Sequence, residues 1–161
     1  MGKVIRVGMA DLGIAKCPDS LLTVGLGSCV GVCLYDSVAK VGGLAHIMLP
    51  DSNSARSKEN PAKFADTAIP LTIEKMSKEG AVKKRIVAKI AGGAQMFSFS
   101  NGSDIMKIGE RNINAVKRIL KELGIALVAE STGGNYGRTI ELKTDTGILT
   151  IRTIDHGTWE I

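Results

Sequence analysis

The chain has 161 residues, a net charge of +5 and a pI near 9.2, with hydrophobic residues at 44% and charged residues at 23%. These values are those of a globular chain able to bury a core, and the length fits a single domain over 1–161. No apolar run approaches the ~18 residues of a membrane helix, so no direct membrane insertion is expected. Aromatic residues at 4% are too few for base-stacking platforms, so the positive balance points to an acidic protein partner rather than to nucleic acid.

The N-terminus, Met1-Gly-Lys-Val-Ile-Arg6, is too short in apolar length for a secretion signal, and Arg6 stands where a myristoylation motif needs Ser or Thr. A cytoplasmic protein with reduced thiols is expected. Residues 3–8 and about 10–15 read as short strands around a turn, and 21–26 as another leading into Gly25-Leu-Gly-Ser-Cys29. Two apolar runs follow, about 29–35 and 41–48, and read as an antiparallel hairpin. With the turn at Asp36-Ser-Val-Ala39, Tyr35 faces Lys40. Six residues further along each strand, Cys29 then faces His46. Directly opposed residues have Cβ atoms about 4.5–5.5 Å apart. One hairpin face carries Val30, Val32, Leu34, Val41, Ala45 and Ile47, a core face. The other carries Cys29, Gly31, Cys33, Gly42, Leu44, His46 and Met48.

Residues 50–61 are polar and read as a loop. A helix follows, with Thr67 as N-cap and Pro70 in its first turn, or with an earlier start near Ala62 and a kink at Pro70; it ends before Gly80. Residues 84–91 read as a strand whose basic opening, Lys83-Lys-Arg85, is a solvated end. Residues 94–108 read as loop-rich. A second helix is expected over about 109–123, with Ile113, Val116, Leu120 and Leu123 on one face. Strands near 125–130, 138–144 and 148–153 complete the chain, the last two joined by Asp145-Thr-Gly147. Nine strands, mostly sequential, and two helices predict an α+β fold: mixed sheets in a sandwich-like core with two main helices outside.

The glycines around Cys29 do not make a nucleotide site. The third glycine of a dinucleotide fingerprint comes one position late, and a strand follows where a helix belongs. A Cys29–Cys33–His46 zinc site lacks a fourth ligand and the short cysteine spacing, so neither metal nor cofactor is expected. Two readings of Cys29 remain open from the residues alone. It is a buried small hydrophobe, or it is a nucleophile whose proton passes to His46. In the second reading, N–H donors at the Gly27-Ser28-Cys29 turn hold an oxyanion. Cys33 and Cys17 read as structural, and Cys29 and Cys33, roughly 13 Å apart at about 3.3 Å per residue, are too distant for a disulfide. His156 reads as a surface residue. The loop Gly133-Gly-Asn-Tyr-Gly-Arg138 reads as a turn needing positive φ, with a substrate-cleft rim as the alternative role of Arg138. Met96, Phe97 and Phe99 either fill core or form an adaptable docking rim.

Taken together, Gly25-Leu-Gly-Ser-Cys29-Val, Ala45-His46-Ile-Met-Leu-Pro50, Ala65-Asp-Thr-Ala68, Ala91-Gly-Gly-Ala-Gln-Met-Phe97, Asn112-Ile-Asn-Ala-Val116 and Thr132-Gly-Gly-Asn-Tyr-Gly-Arg138 resemble the chemoreceptor glutamine deamidases called CheD. The resemblance runs from about residue 3 to 153. It implies a cysteine hydrolase fold similar to the deamidating domain of cytotoxic necrotizing factor toxins. It also implies a Cys–His–Thr triad, here Cys29, His46 and Thr23, and glutamine deamidation on a chemoreceptor cytoplasmic domain, with methyl-ester hydrolysis as a related activity. The implied regulatory partner is a CheC-type phosphatase, and the chain alone is expected to be a monomer. The alternative is a non-catalytic module that binds the receptor or the phosphatase. The segment Asp155-His-Gly-Thr-Trp-Glu-Ile161 and the loop 98–107 fit no motif of that family.

Overall fold

A computed structural model describes residues 2–53, 57, 59–96 and 107–161. The order of elements is β1 (Val4–Arg6), β2 (Leu12–Lys16), β3 (Ser20–Leu26), β4 (Val30–Asp36), β5 (Val41–Ile47), α1 (Ala65–Lys78), β6 (Ile86–Gly92), α2 (Ile108–Glu122), β7 (Ala126–Thr132), β8 (Arg138–Lys143), β9 (Leu149–Arg152) and β10 (Thr158–Glu160). The fold is α+β. Five strands in the order β1-β3-β8-β9-β10 make one mixed sheet, and five in the order β2-β5-β4-β6-β7 make the other. In the first, β1 and β3 are parallel; in the second, β6 and β7 are parallel.

The layers follow from the two faces of β4 and β5. Every residue of both strands is buried. Val30, Val32, Leu34, Val41, Ala45 and Ile47 pack with Ala68, Ile69 and Met76 of α1 and with Ala115, Val116, Ile119 and Leu120 of α2. The alternate residues turn to the other sheet, where Cys29, Cys33 and Leu44 meet Leu21, Leu26, Ile140, Leu142, Leu149 and Ile151. The order is therefore sheet, sheet, helices. Each fully buried aliphatic side chain contributes about 1.5–3 kcal/mol, so this doubly covered pair of strands is the most heavily stabilised part of the fold.

The hairpin register differs from the expected one. Asp36 pairs with Val41 and His46 with Gly31, a slip of two residues. Asp36 is a strand residue because its buried carboxylate organises the turn. It accepts from the amides of Val38 and Ala39 at 2.9 and 3.1 Å, and from Val82 N and Arg85 Nε at 2.8 and 3.0 Å. Arg85 is therefore an ion-pair partner of Asp36, not a solvated end. A slip of two leaves every side chain on its expected face, since the strand period is two.

Two boundaries also move. Phe64, not Thr67, is the N-cap of α1, and Pro70 lies inside the helix. Thr67 instead donates its hydroxyl back to Pro61 O at 2.5 Å. The Asp66 carboxylate takes Ser52 N and Oγ at 3.0 and 2.7 Å, fixing the preceding loop onto the helix. A tenth strand, β10, pairs Trp159 with Ile151 at the edge of the first sheet.

Candidate active site

Three adjacent strands converge at one end of the sandwich. β3 brings Thr23 from one sheet, β5 brings His46 from the other, and Cys29 stands just before β4. Thr23 and His46 are fully buried and Cys29 is 7% exposed. The Thr23 hydroxyl lies 2.7 Å from His46 Nδ1 and 2.7 Å from Val7 O. A hydroxyl has one hydrogen, and a carbonyl can only accept. Thr23 therefore donates to Val7 and accepts from Nδ1–H. That assignment places the imidazole proton on Nδ1 and leaves Nε2 as the basic nitrogen. Nε2 is buried and has no hydrogen-bond partner among the described residues. Burial lowers the His46 pKa from its ordinary value, so the ring rests neutral.

Because Gly31, not Cys29, lies opposite His46, the cysteine is the diagonal neighbour on the same face of the sheet. Diagonal positions are about 7–8 Å apart at Cα, and the glycine puts no side chain between them. A Cβ at Gly31 would lie 2.6 Å from Ile140 Cδ1, so the close packing of the two sheets also requires glycine there. Burial pushes the Cys29 thiol pKa up, and its own backbone N–H partly offsets that. Thiol and imidazole thus rest as a neutral pair.

The loop carrying Cys29 is clamped from several sides. Gly93 N donates to Cys29 O and Ala94 N to Gly27 O, both at 2.8 Å. Gly92, at φ +108°, passes so near that a Cβ there would lie 2.3 Å from Cys29 O. Gly27 N donates to Gly25 O at 3.1 Å and is thereby occupied. Among the described residues, the Ser28 amide donates to no backbone acceptor, while the Cys29 amide faces its own sulfur.

Asn112 of α2 carried no assigned role in the sequence, yet it is fully buried here. Its Nδ2 donates to Ser28 O at 2.9 Å and to Met48 O at 3.0 Å. The signal was a carboxamide in the apolar stripe with Ala115, Val116 and Ile119, spaced three, four and seven residues on.

Of the rim residues, Met96 is 45% exposed and its side chain lies against Gly27. Phe97 and Phe99 fall outside the described residues. Arg138 is buried. It donates Nε to Ser131 Oγ and Nη1 to Gly133 O at 3.2 and 2.9 Å, and stacks 4.3 Å from the Tyr136 ring. It braces the glycine loop. His156 is exposed and stacks on Tyr136, with ring centroids 4.0 Å apart. Beside Met96 and Gly25 a cleft of about 570 Å3 opens, lined further by Tyr136, Arg138, Arg152 and Ile154. Cys29 and His46 do not line it. Cys33, across from Leu44 and Lys89, lies deeper between the sheets, and burial pushes its thiol pKa up to about 12. Among the described residues no three His, Cys, Asp or Glu side chains come together to hold a metal ion. No described helix is long and apolar enough to cross a membrane.

Residues 48–153 match the family described as CheD chemotactic sensory transduction. A protein of Caldanaerobacter subterraneus named probable chemoreceptor glutamine deamidase CheD is 60% identical over 96% of both chains. Proteins of the same name from Syntrophomonas wolfei and Clostridium novyi are 59% and 58% identical over 98% and 95% of this chain, and 98% and 94% of their own. Among solved structures, Neisseria meningitidis protein NMB0706, of the DUF152 family, aligns with a TM-score of 0.52 at 12% identity. That match spans 81% of this chain and 64% of the other, and it concerns the fold alone.

Proposed function

This chain belongs to the CheD family, and from that premise we propose that it hydrolyses glutamine side chains of chemoreceptors to glutamate, with Cys29 as nucleophile, His46 as general base and acid, and Thr23 as the group that orients the imidazole. One observation carries the assignment of roles: the Thr23 hydroxyl is committed to Val7 O and so fixes the Nδ1–H form of His46, leaving a buried, unpartnered Nε2 on the face shared with Cys29.

The steps follow from that proton arrangement. Nε2 takes the thiol proton as the sulfur attacks the carboxamide carbon of glutamine. Charge developing on the carboxamide oxygen is met by the open Ser28 amide, and by the Cys29 amide once the sulfur it faces at rest has bonded to carbon. The imidazolium returns its proton to the departing nitrogen, and ammonia leaves a thioester. The neutral imidazole then activates water, which releases glutamate and the thiol. The imidazolium is stabilised through Nδ1–H by the Thr23 oxygen, a neutral acceptor rather than a carboxylate. A receptor glutamate methyl ester would form the same acyl-enzyme, with methanol as the leaving group.

The receptor's cytoplasmic domain is the proposed substrate, and the chain acts in the cytoplasm as a single-domain monomer. A CheC-type phosphatase is its proposed regulator, docking at Met96 and at Phe97 and Phe99, which follow it in the sequence. The test is mass spectrometry of a receptor cytoplasmic fragment incubated with the protein. A gain of about 1 Da at glutamine is expected, absent with Cys29→Ala and retained with Cys17→Ala and Cys33→Ala. Deamidation by Cys29→Ala would overturn Cys29 as the nucleophile, and no mass gain with the wild-type chain would overturn the enzyme reading and leave a binding module.

A further inference from the structure

Beyond the last ladder pair, Val30 with Ile47, the strands that carry the nucleophile and the base separate. Met48 N donates to Lys63 O at 2.8 Å instead of continuing the sheet. Ser28, on the other strand, turns into the glycine loop. The carboxamide of Asn112 sits in this fork, with one N–H on Ser28 O and the other on Met48 O. Ser28 adjoins Cys29, and Met48 lies two residues beyond His46. Both carbonyls can only accept, so the amide must face them through its nitrogen.

The helix is pressed close to make this reach. A Cβ at Gly109 would lie 2.5 Å from Ala94 O, and one at Gly93 would lie 2.3 Å from Ile113 Cγ1. Asn112 Oδ1 is buried without a partner among the described residues. Packing alone does not account for that, since a leucine of similar size would fill the space with no stranded acceptor.

We propose that Asn112 is a positioning residue of the deamidase: it closes the fork between β4 and β5 and thereby sets the separation of Cys29 Sγ from His46 Nε2. The inference rests on Cys29 and His46 acting as the proposed function assigns them. It touches neither substrate nor the reacting atoms.

Asn112→Leu removes both hydrogen bonds while keeping an apolar filler. Its kcat on a receptor cytoplasmic fragment is expected to fall at least tenfold, with KM within about twofold of wild type. In a background of Cys17→Ala and Cys33→Ala, iodoacetamide should alkylate Cys29 at pH 7 more slowly by a similar factor. The pH profile of alkylation should also change, because a wider Cys29–His46 separation makes transfer of the thiol proton to Nε2 harder. The alkylation arm needs no substrate, so it separates this inference from the deamidase reading. A folded Asn112→Leu protein with wild-type kcat and alkylation profile would overturn the inference while leaving Cys29 and His46 in place. Inactivity of the wild-type chain on receptor would instead overturn the function. Asn112→Ala serves as the second variant; unfolding of both would make the residue structural and overturn its positioning role.

Discussion

His46 stands directly across the ladder from Gly31, so the base of this site faces a gap in the neighbouring strand, and Cys29 lies diagonally across it. The gap serves two ends at once. It admits Ile140 and Leu26 of the opposing sheet, and it puts no side chain of β4 directly against the imidazole.

Gly31→Ala should therefore be costly although it adds one methyl group. The new Cβ would meet Ile140 Cδ1 at 2.6 Å and Leu26 Cδ1 at 3.1 Å. Overpacking of this kind destabilises by about 1–3 kcal/mol. Urea denaturation should show the loss, and activity should fall with it because the strand that must shift to relieve the clash leads directly from Cys29 and pairs with His46.

Thr23→Val keeps the side-chain shape and removes the oxygen. Val7 O loses its donor, and His46 Nδ1–H loses its acceptor. Stability should fall by about 1–3 kcal/mol. The rate constant kcat should fall by roughly 10²-fold, the lower range of a general base's contribution, as the ring loses its fixed tautomer. Thr23→Ser should restore most of both, and parallel denaturation and kinetics check it.

The pH profile follows from two burial effects. Catalysis needs neutral His46, whose pKa burial lowers from 6.5, so the acid limb of kcat/KM should fall below 6.5. Burial raises the Cys29 thiol from 9.0, so the rate should hold through neutral pH to above 9.0. The stability sign agrees. Above 6.5 His46 is neutral folded or unfolded; as pH falls below 6.5 the unfolded chain takes up the proton first, and stability declines toward the lowered folded pKa. A His46→Gln variant should lose both the acid limb and this part of the acid sensitivity.

Asp36 supplies a second, separate acid response. Burial alone would raise its pKa, but Arg85 and the amides of Val82, Ala39 and Val38 hold it at about 2 against 3.8. Its contribution is fully present above 3.8 and is lost as pH falls through about 2. Asp36→Ala leaves the Val38, Ala39 and Val82 amides without their acceptor, while Arg85, 37% exposed, can turn to water; stability should fall by about 1–3 kcal/mol by chemical denaturation. Asp36 lies at the turn, away from the cysteine, so kcat of the folded variant should be unchanged.

Which side chains share a face was legible in the sequence, because alternation along 30–36 and 41–47 survives any even slip in register. The slip itself was not legible. Four residues intervene between Asp36 and Val41, and nothing local reveals that Asp36 is held by Arg85, 49 residues away. α1 began earlier than its hydroxyl suggested, since Thr67 bonds backward to Pro61 rather than capping. The strand β10 was missed because three residues beside a glycine turn carry too little pattern. The pairing of Thr23 with His46 joins two different sheets, so it came from family resemblance and not from periodicity. Asn112 escaped because a single amide in an apolar stripe acquires meaning only when the fork beneath it is visible.

The neutral resting pair also bears on how the protein endures peroxide. Sulfur is oxidised mainly as exposed thiolate, and a thiol that stays protonated and buried until an amide draws its proton away gives an oxidant little to attack. Cys29 meets both conditions, Cys33 meets them more fully, and Cys17 alone is exposed. Oxidative labelling of the intact chain should thus mark Cys17 first and leave the deamidase competent.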